Sequence, residues 1–272
     1  MLAETDPARS LGKAMAWARQ QELTDLHLLV EDDAGVLARR AAQFADPPTI
    51  WWLRGAELHA TEPEPYAPPR VSSSTPELEA FLERAGLEVV RERSHVAGEL
   101  RGLEVARVVD GRLEVGVGEA DRELTAMLHG DLEPPDALER VVTIVGEHRR
   151  PDAPRHPLNQ LVPERWLRWM LRNEPERVGA HEFAPAPSPR PRAGLRERDI
   201  ACARADESVV VCSVGVDLEL VPAAAEARHV LDPGAPLVLV VPDRDDHPIT
   251  HALARRLAAP AELVTISGDW RT

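Results

Sequence analysis

Lysine is nearly missing from this chain. Of 32 basic residues in 272, only Lys13 is lysine and the other 31 are arginine, a skew that reads as codon bias in a GC-rich genome. Arginine does not deprotonate readily or form Schiff bases, so lysine-dependent chemistry is excluded almost everywhere. At Lys13 itself the surroundings are an Ala-rich amphipathic stretch with no Gly-rich loop, which excludes a Walker-type phosphate loop. Cysteine is scarce as well: Cys202 and Cys212 alone argue against a disulfide framework or a cysteine-based zinc module and for reduced thiols. Long apolar runs are absent. The longest, around Leu237 to Val241, falls far short of the roughly 20 residues that span a bilayer. Residues Met1 to Ser10 carry Glu4 and Asp6 without an apolar core, unlike a signal peptide. The expectation is a cytoplasmic protein with no membrane partner.

Charge is abundant and uneven. With 46 acids the net charge is −14, which suits a soluble protein and not a general polyanion binder. Residues 1–146 hold 15 bases and 27 acids, 147–199 hold 11 and 8, and 200–272 hold 6 and 11. The middle segment also has nine prolines from Pro151 to Pro191, ending in an Ala-Pro-rich run that predicts extended linker. These shifts divide the chain into an acidic mixed α/β domain (1–146), an Arg/Pro-rich connector with a short helix (147–199) and a small third region (200–272).

Periodicity fills in the elements. In the first region it predicts a helix over 7–22, a strand over 26–30, a helix over 34–44 and a strand over 49–53, completing a β-α-β unit. Pro76 at the first position and Thr75 as cap start a helix that Gly86 stops. Strands follow at 87–92, 99–109 and 113–117, the last two joined by Asp110-Gly111, a hairpin signal. A helix opens at Glu119 and runs to about His129, and a further helix or strand lies near 137–145. The third region alternates strand 208–213, helix 222–230, strand 236–241, helix 248–257 and strand 262–266. Continuous apolar strands joined by helices imply a buried parallel sheet and a Rossmann-like domain. No internal repeat of 20 to 50 residues is visible.

The helix, three-strand meander and helix of residues 76–129, with Glu83, Glu99, Glu104 and Glu114 along them, resemble the core of the PD-(D/E)XK nuclease-like fold. That resemblance implies carboxylates converging on Mg²⁺ or Mn²⁺ and a metal-activated water attacking a phosphodiester. The family's lysine two residues after the strand acid is Gly116 here. Arg112, on the same face of an ideal strand as Glu114, supplies positive charge to the same site. Against this stands the plain alternative that Glu99, Glu104 and Glu114 form the solvated face of an antiparallel sheet.

Two loops of the third region fall beyond the carboxyl ends of parallel strands, where ligands bind in such sheets. They hold Ser213 and Asp217 after one strand and Asp243 after the next. His247 and His251, four apart on a first helical turn, have the spacing of paired metal ligands to which Asp243 or Asp246 adds a carboxylate, although Asp245, Asp246 and Thr250 also read as ordinary helix-start residues. The stretch from Val209 to Asp243, with Pro233-Gly234 before an apolar strand, is similar to the later half of a class I methyltransferase, without the Gly-rich turn that holds S-adenosylmethionine.

Arg165, Arg168 and Arg172 share one face of the helix 163–172, and with Arg149 and Arg150 make the chain's basic patch. It suits phosphate contact with nucleic acid or docking onto the acidic first domain. The leading expectation is a nucleic-acid-processing or degenerate nuclease-like protein with an acidic metal site. The alternative is a non-enzymatic ligand-binding or regulatory protein that uses the C-terminal Rossmann-like sheet edge, and the third reading is a methyltransferase-like remnant.

Overall fold

The computed structural model describes residues 9–68, 73–119, 121–123, 134–151, 153–190 and 194–268. In chain order the elements are α1 (Leu11–Gln20), β1 (His27–Val30), α2 (Ala34–Ala41), β2 (Thr49–Arg54), β3 (Glu57–Ala60), α3 (Pro76–Arg84) and β4 (Glu88–Arg91). There follow β5 (Val96–Leu100), β6 (Leu103–Val109), β7 (Arg112–Val115), α4 (Pro134–His148), α5 (Pro157–Gln160), α6 (Pro163–Asn173) and β8 (Phe183–Ala186). The chain continues through β9 (Ala201–Ala205), β10 (Ser208–Cys212), α7 (Leu220–Leu231), β11 (Leu237–Pro242), α8 (Pro248–Ala254) and β12 (Ala261–Ile266). The fold is mixed α/β. It comprises two compact units, one of Met1–Ala67 with Glu207–Thr265, the other of Pro68–Asp206 with Ile266–Thr272. This division differs from cuts at 146 and 199, because composition reads neighbours in sequence whereas the first unit joins residues 1–67 to residues 207–265.

In the first unit, β1 and β2 run parallel, His27 opposite Thr49 and Val30 opposite Trp52, and β3 returns antiparallel. Strands β10 and β11 are also parallel, from Val209 opposite Leu237 to Cys212 opposite Val240, with β12 beside β11. Val209, Val211, Cys212, Leu239 and Val240 are fully buried, as expected of strands covered on both faces. Helix α7 buries Ala224, Ala225 and Ala227 completely, small side chains that let neighbouring helices come close. The segment after α2 and the segment after α8 bridge each other: Ala45 N donates to Arg256 O at 2.9 Å and Ala258 N to Gln43 O at 2.9 Å. Phe44 lies opposite Leu257. Two strand-helix-strand segments, Phe44-Ala-Asp-Pro in one and Leu257-Ala-Ala-Pro in the other, are thus placed alike although no repeat stands out by eye.

The second unit is built on a four-stranded antiparallel meander, β4-β5-β6-β7. The sequence reading has one strand over 99–109. The chain instead folds back at Arg101 and Gly102, both at positive φ (49° and 75°), the geometry of a tight hairpin turn. Gly102 has a second reason to be glycine: a Cβ there would lie 2.3 Å from the Arg165 backbone. The Asp110-Gly111 turn forms as expected, at φ 48° and 74°. Leu82 of α3, Leu87, Val96, Leu103, Val105 and Val108 of the meander, and Leu138 and Val145 of α4 form its core. Of the helix expected over 119–129, residues 119 and 121–123 are helical and the rest lies outside the described residues. The proline-rich run expected as linker begins as strand β8, antiparallel to β9 with Pro185 opposite Ala203. No helix among the described residues is long and apolar enough to cross a membrane.

Candidate functional sites

Three of the acids expected around a metal ion, Glu99, Glu104 and Glu114, are each paired with arginine. Glu99 and Glu104, expected on one strand, sit opposite each other on β5 and β6. The Glu99 side chain is completely buried, and its oxygens accept from Arg165 Nη1 and Arg168 Nη2, each at 2.6 Å. Beside it on β4, Glu88 accepts from Arg172 Nη1 at 2.6 Å, and Glu92 accepts from Arg165 Nη2 at 2.9 Å. Arginines three and four residues apart on α6 therefore lie along cross-strand carboxylates, a buried ladder that fastens the helix to the sheet. Burial raises the Glu88 carboxyl above its ordinary range despite Arg168 and Arg172. Burial alone would lower the Arg165 guanidinium, but Glu99 and Glu92 reverse this and push it up.

The basic patch is largely spent on these contacts. Arg165 and Arg168 are buried, and Arg149 is wholly buried with its guanidinium donating to the carbonyls of Arg101 (2.9 Å), Leu158 (2.8 Å) and Leu161 (2.9 Å), stacked on the Trp166 ring. Arg150 is exposed and the Arg172 side chain is half exposed. The expected phosphate-contacting face is thus an internal one for three of its five arginines.

On the meander, Glu104 accepts from Arg122 Nη1 at 2.9 Å and lies 2.9 Å from His95 Nε2, while Glu114 accepts from Arg107 Nε at 2.6 Å, its cross-strand neighbour. Burial pushes the Glu104 carboxyl up, but the His95 hydrogen bond and the charges of His95, Arg165 and Arg122 outweigh it and leave the pKa below its ordinary value. Glu83 and Arg112 are exposed and join neither pair. Among the described residues no group of three or more His, Cys, Asp and Glu side chains could hold a metal ion. The donor set does not suit Mg²⁺ or Mn²⁺, because Glu99, Glu104 and Glu114 are already neutralised by guanidinium groups. His95 and Arg122 escaped the sequence reading; the signal was a Ser-His pair just before a strand, nine residues ahead of Glu104.

The C-terminal sheet edge is the other expected site. Ser213 follows β10, its N–H donating to Val240 O of β11 at 3.0 Å. The residue is fully buried, and its hydroxyl has no hydrogen-bond partner. Asp245 Oδ2 accepts from Gly215 N at 2.7 Å and so ties the two loops together. Asp217 Oδ1 accepts from Glu219 N at 2.9 Å, and Asp243 is exposed. The two histidines of the expected pair each have another partner: His247 Nδ1 accepts from Ile249 N at 3.2 Å as a helix cap, and His251 Nε2 lies 2.6 Å from Asp246 Oδ1. Glu219, at the start of α7, is buried, and its Oε1 accepts from the N–H groups of Gly12 (2.7 Å) and Lys13 (3.2 Å). Asp245 and Glu219 were not singled out from sequence, where they look like ordinary loop acids. Cys202 and Cys212 are buried and not disulfide-bonded, and burial pushes the Cys202 thiol up to about 12, far from a reactive thiolate.

No protein-family model matches the chain, and no curated protein or solved structure is significantly similar to it.

Proposed function

We propose that this protein is a ligand-binding or regulatory protein whose binding site is the β10–β11 carboxyl edge, around Ser213, Asp217 and Asp243. One observation carries the reading: Ser213 buries a hydroxyl with no partner. An unpaired buried hydroxyl costs about 1–3 kcal/mol, and a ligand that pairs it recovers that cost. The same edge narrows the ligand class. In Rossmann-type sites phosphates sit on loop N–H groups; here the N–H groups of Gly215 and Glu219 already donate to Asp245 and Asp217. Carboxylates occupy the phosphate's place and repel it. The ligand is accordingly a small hydroxyl- or amine-bearing molecule, not a nucleotide phosphate or S-adenosylmethionine held on a glycine-rich turn.

Thermal-shift and calorimetric titration with adenosine, ribose and spermidine, set against ATP and NAD, test this. Binding from the first set that weakens at least tenfold in Ser213→Ala, with the apo protein no less stable than wild type, is the expected result. Tighter binding of ATP or NAD, or no binding from the first set, overturns it. Mn²⁺ binding that vanishes in Glu114→Ala, with cleavage of DNA or RNA, would instead reinstate the metal-dependent nuclease and its nucleic-acid partner.

A further inference from the structure

A second constellation lies in the other unit and does not depend on the ligand-binding reading. Ser94 Oγ is 3.1 Å from His95 Nδ1, and His95 Nε2 is 2.9 Å from Glu104 Oε2. From this order we propose that Ser94, His95 and Glu104 form a nucleophilic relay that hydrolyses small uncharged esters, with Ser94 attacking, His95 as base and Glu104 as its positioning residue.

The proton positions follow from the partners. An ionised carboxylate can only accept, so the neutral imidazole carries its hydrogen on Nε2 and leaves the Nδ1 lone pair facing the Ser94 hydroxyl. That is the tautomer in which His95 draws the hydroxyl proton. Glu104 is itself fixed: its other oxygen accepts from Arg122 Nη1 at 2.9 Å, and the same nitrogen lies 3.4 Å from Gly116 O.

The loop between β4 and β5 that carries the serine and histidine is also pinned. Glu92 is held by Arg165 at 2.9 Å, and Arg93 Nε donates to Ser188 O at 2.5 Å. A relay held at both ends meets the requirement that nucleophile and base stay in register without reorganisation. Exposure is graded in the useful direction: Ser94 is exposed, while the side chains of His95 and Glu104 are 18% and 13% accessible. The nucleophile reaches solvent and its base is sheltered.

Charge selects the substrate class. Arg107 is paired with Glu114, Arg122 with Glu104, and Arg165 with Glu92 and Glu99, so these guanidinium groups are committed and do not neutralise a phosphate ester. A neutral carboxylic ester needs no such cation. Ser94 Oγ forms a bond to the acyl carbon as its proton passes to His95 Nδ1. The carbonyl then re-forms as the C–O bond to the alcohol breaks, and the departing alkoxide takes that proton. Water attacks the acyl-serine in the same way, releasing the carboxylic acid and restoring the hydroxyl.

The test uses the full chain, an alkyl fluorophosphonate and p-nitrophenyl acetate. The fluorophosphonate gives a P–O bond to Ser94 with loss of fluoride, read by intact mass and peptide mapping. One adduct on Ser94 is expected, absent in Ser94→Ala, with labelling and ester turnover slowed at least about tenfold in His95→Ala and partly restored by added imidazole. Glu104→Gln should slow labelling by a smaller factor while circular dichroism stays unchanged. Ser94→Ala removes an exposed hydroxyl, so its folding is not at issue. No adduct on Ser94 under conditions that label a control serine hydrolase overturns the proposal, as does an adduct whose rate ignores His95→Ala.

Discussion

Each unit buries a carboxylate between two arginines, and the two solutions differ. In the second unit Glu99 lies between Arg165 and Arg168 of one helix and is offered by a strand, with Glu88 and Arg172 extending the row. In the first unit Glu226 of α7 meets Arg39 Nη2 and Arg40 Nε of α2, each at 2.9 Å, and Arg40 also approaches Glu219 at 3.7 Å. There the arginines are adjacent in sequence, so they reach Glu226 from different directions. In the second unit they are spaced by a helical turn and present one face. The spaced set forms a row that extends along a sheet; the adjacent set forms a knot joining helix to helix. An arginine-rich chain with a single lysine suits both: each carboxylate gives one oxygen to each of its two arginines, and the planar fork of Arg165 spans Glu99 and Glu92.

The comparison breaks most sharply at the shared element, the carboxylate. Glu99→Gln leaves the buried Arg168 without its paired carboxylate and Arg165 with Glu92 alone, and a loss of about 3–5 kcal/mol is expected by chemical denaturation. Glu226→Gln should cost a similar amount, and hydrogen exchange should show the loss concentrated in the first unit. Replacing Glu99, Arg165 and Arg168 together by apolar residues of similar volume should recover most of the deficit, since desolvation of the ions nearly cancels their attraction. A triple variant as unstable as Glu99→Gln would mean that the charges, and not merely their mutual balance, hold α6 in place.

A smaller effect separates the knot from the row. Among the described residues, the first unit feeds a helix N-terminus into its cluster, through Gly12 N and Glu219. A Cβ at Gly12 would lie 1.9 Å from Leu218 O and 3.1 Å from Glu219 Oε1, so Gly12→Ala must push α1 away from its carboxylate. A loss of about 1–3 kcal/mol is expected, the usual cost of overpacking. Burial already raises the Glu219 carboxyl in spite of Arg40 and the two N–H groups, and withdrawal of those N–H groups raises it further.

Local grammar was legible and long-range pairing was not. Thr75 and Pro76 start α3 as read, the Thr75 hydroxyl accepting from Leu78 N, because capping depends on residues within one turn. The apolar runs of β10 and β11 declared a buried parallel pair for the same reason. The turn at Arg101-Gly102 escaped notice because arginine at positive φ carries no sequence signature, and missing it placed Glu99 and Glu104 on one strand. The partners of Glu99, Arg165 and Arg168, lie more than sixty residues away along the chain, and nothing in the strand itself distinguishes a glutamate bound for solvent from one bound for an arginine. The same blindness hid the first unit, whose halves are separated by residues 68–206. Its loop acids Asp245 and Glu219 gain meaning only from the N–H groups the fold brings to them.

Acid titration gives the finest distinction, between a carboxylate that is merely buried and one held ionised. The Glu104 pKa is lowered on folding from an ordinary 4.5, so its contribution to stability is complete above that value and is lost as pH falls through the lower folded one. Glu88, raised by burial, behaves oppositely: it favours the folded state once protonated and opposes it as pH rises. Glu104→Gln should therefore be destabilising at pH 7 and progressively less so in acid, so that the wild-type and variant stabilities converge as pH falls in urea titrations. Glu88→Gln should show the reverse trend, equal or greater stability than wild type at neutral pH and no advantage in acid. Parallel curves for wild type and Glu104→Gln would mean that His95 and Arg122 do not hold the Glu104 charge, and would remove the orienting partner from the Ser94 relay.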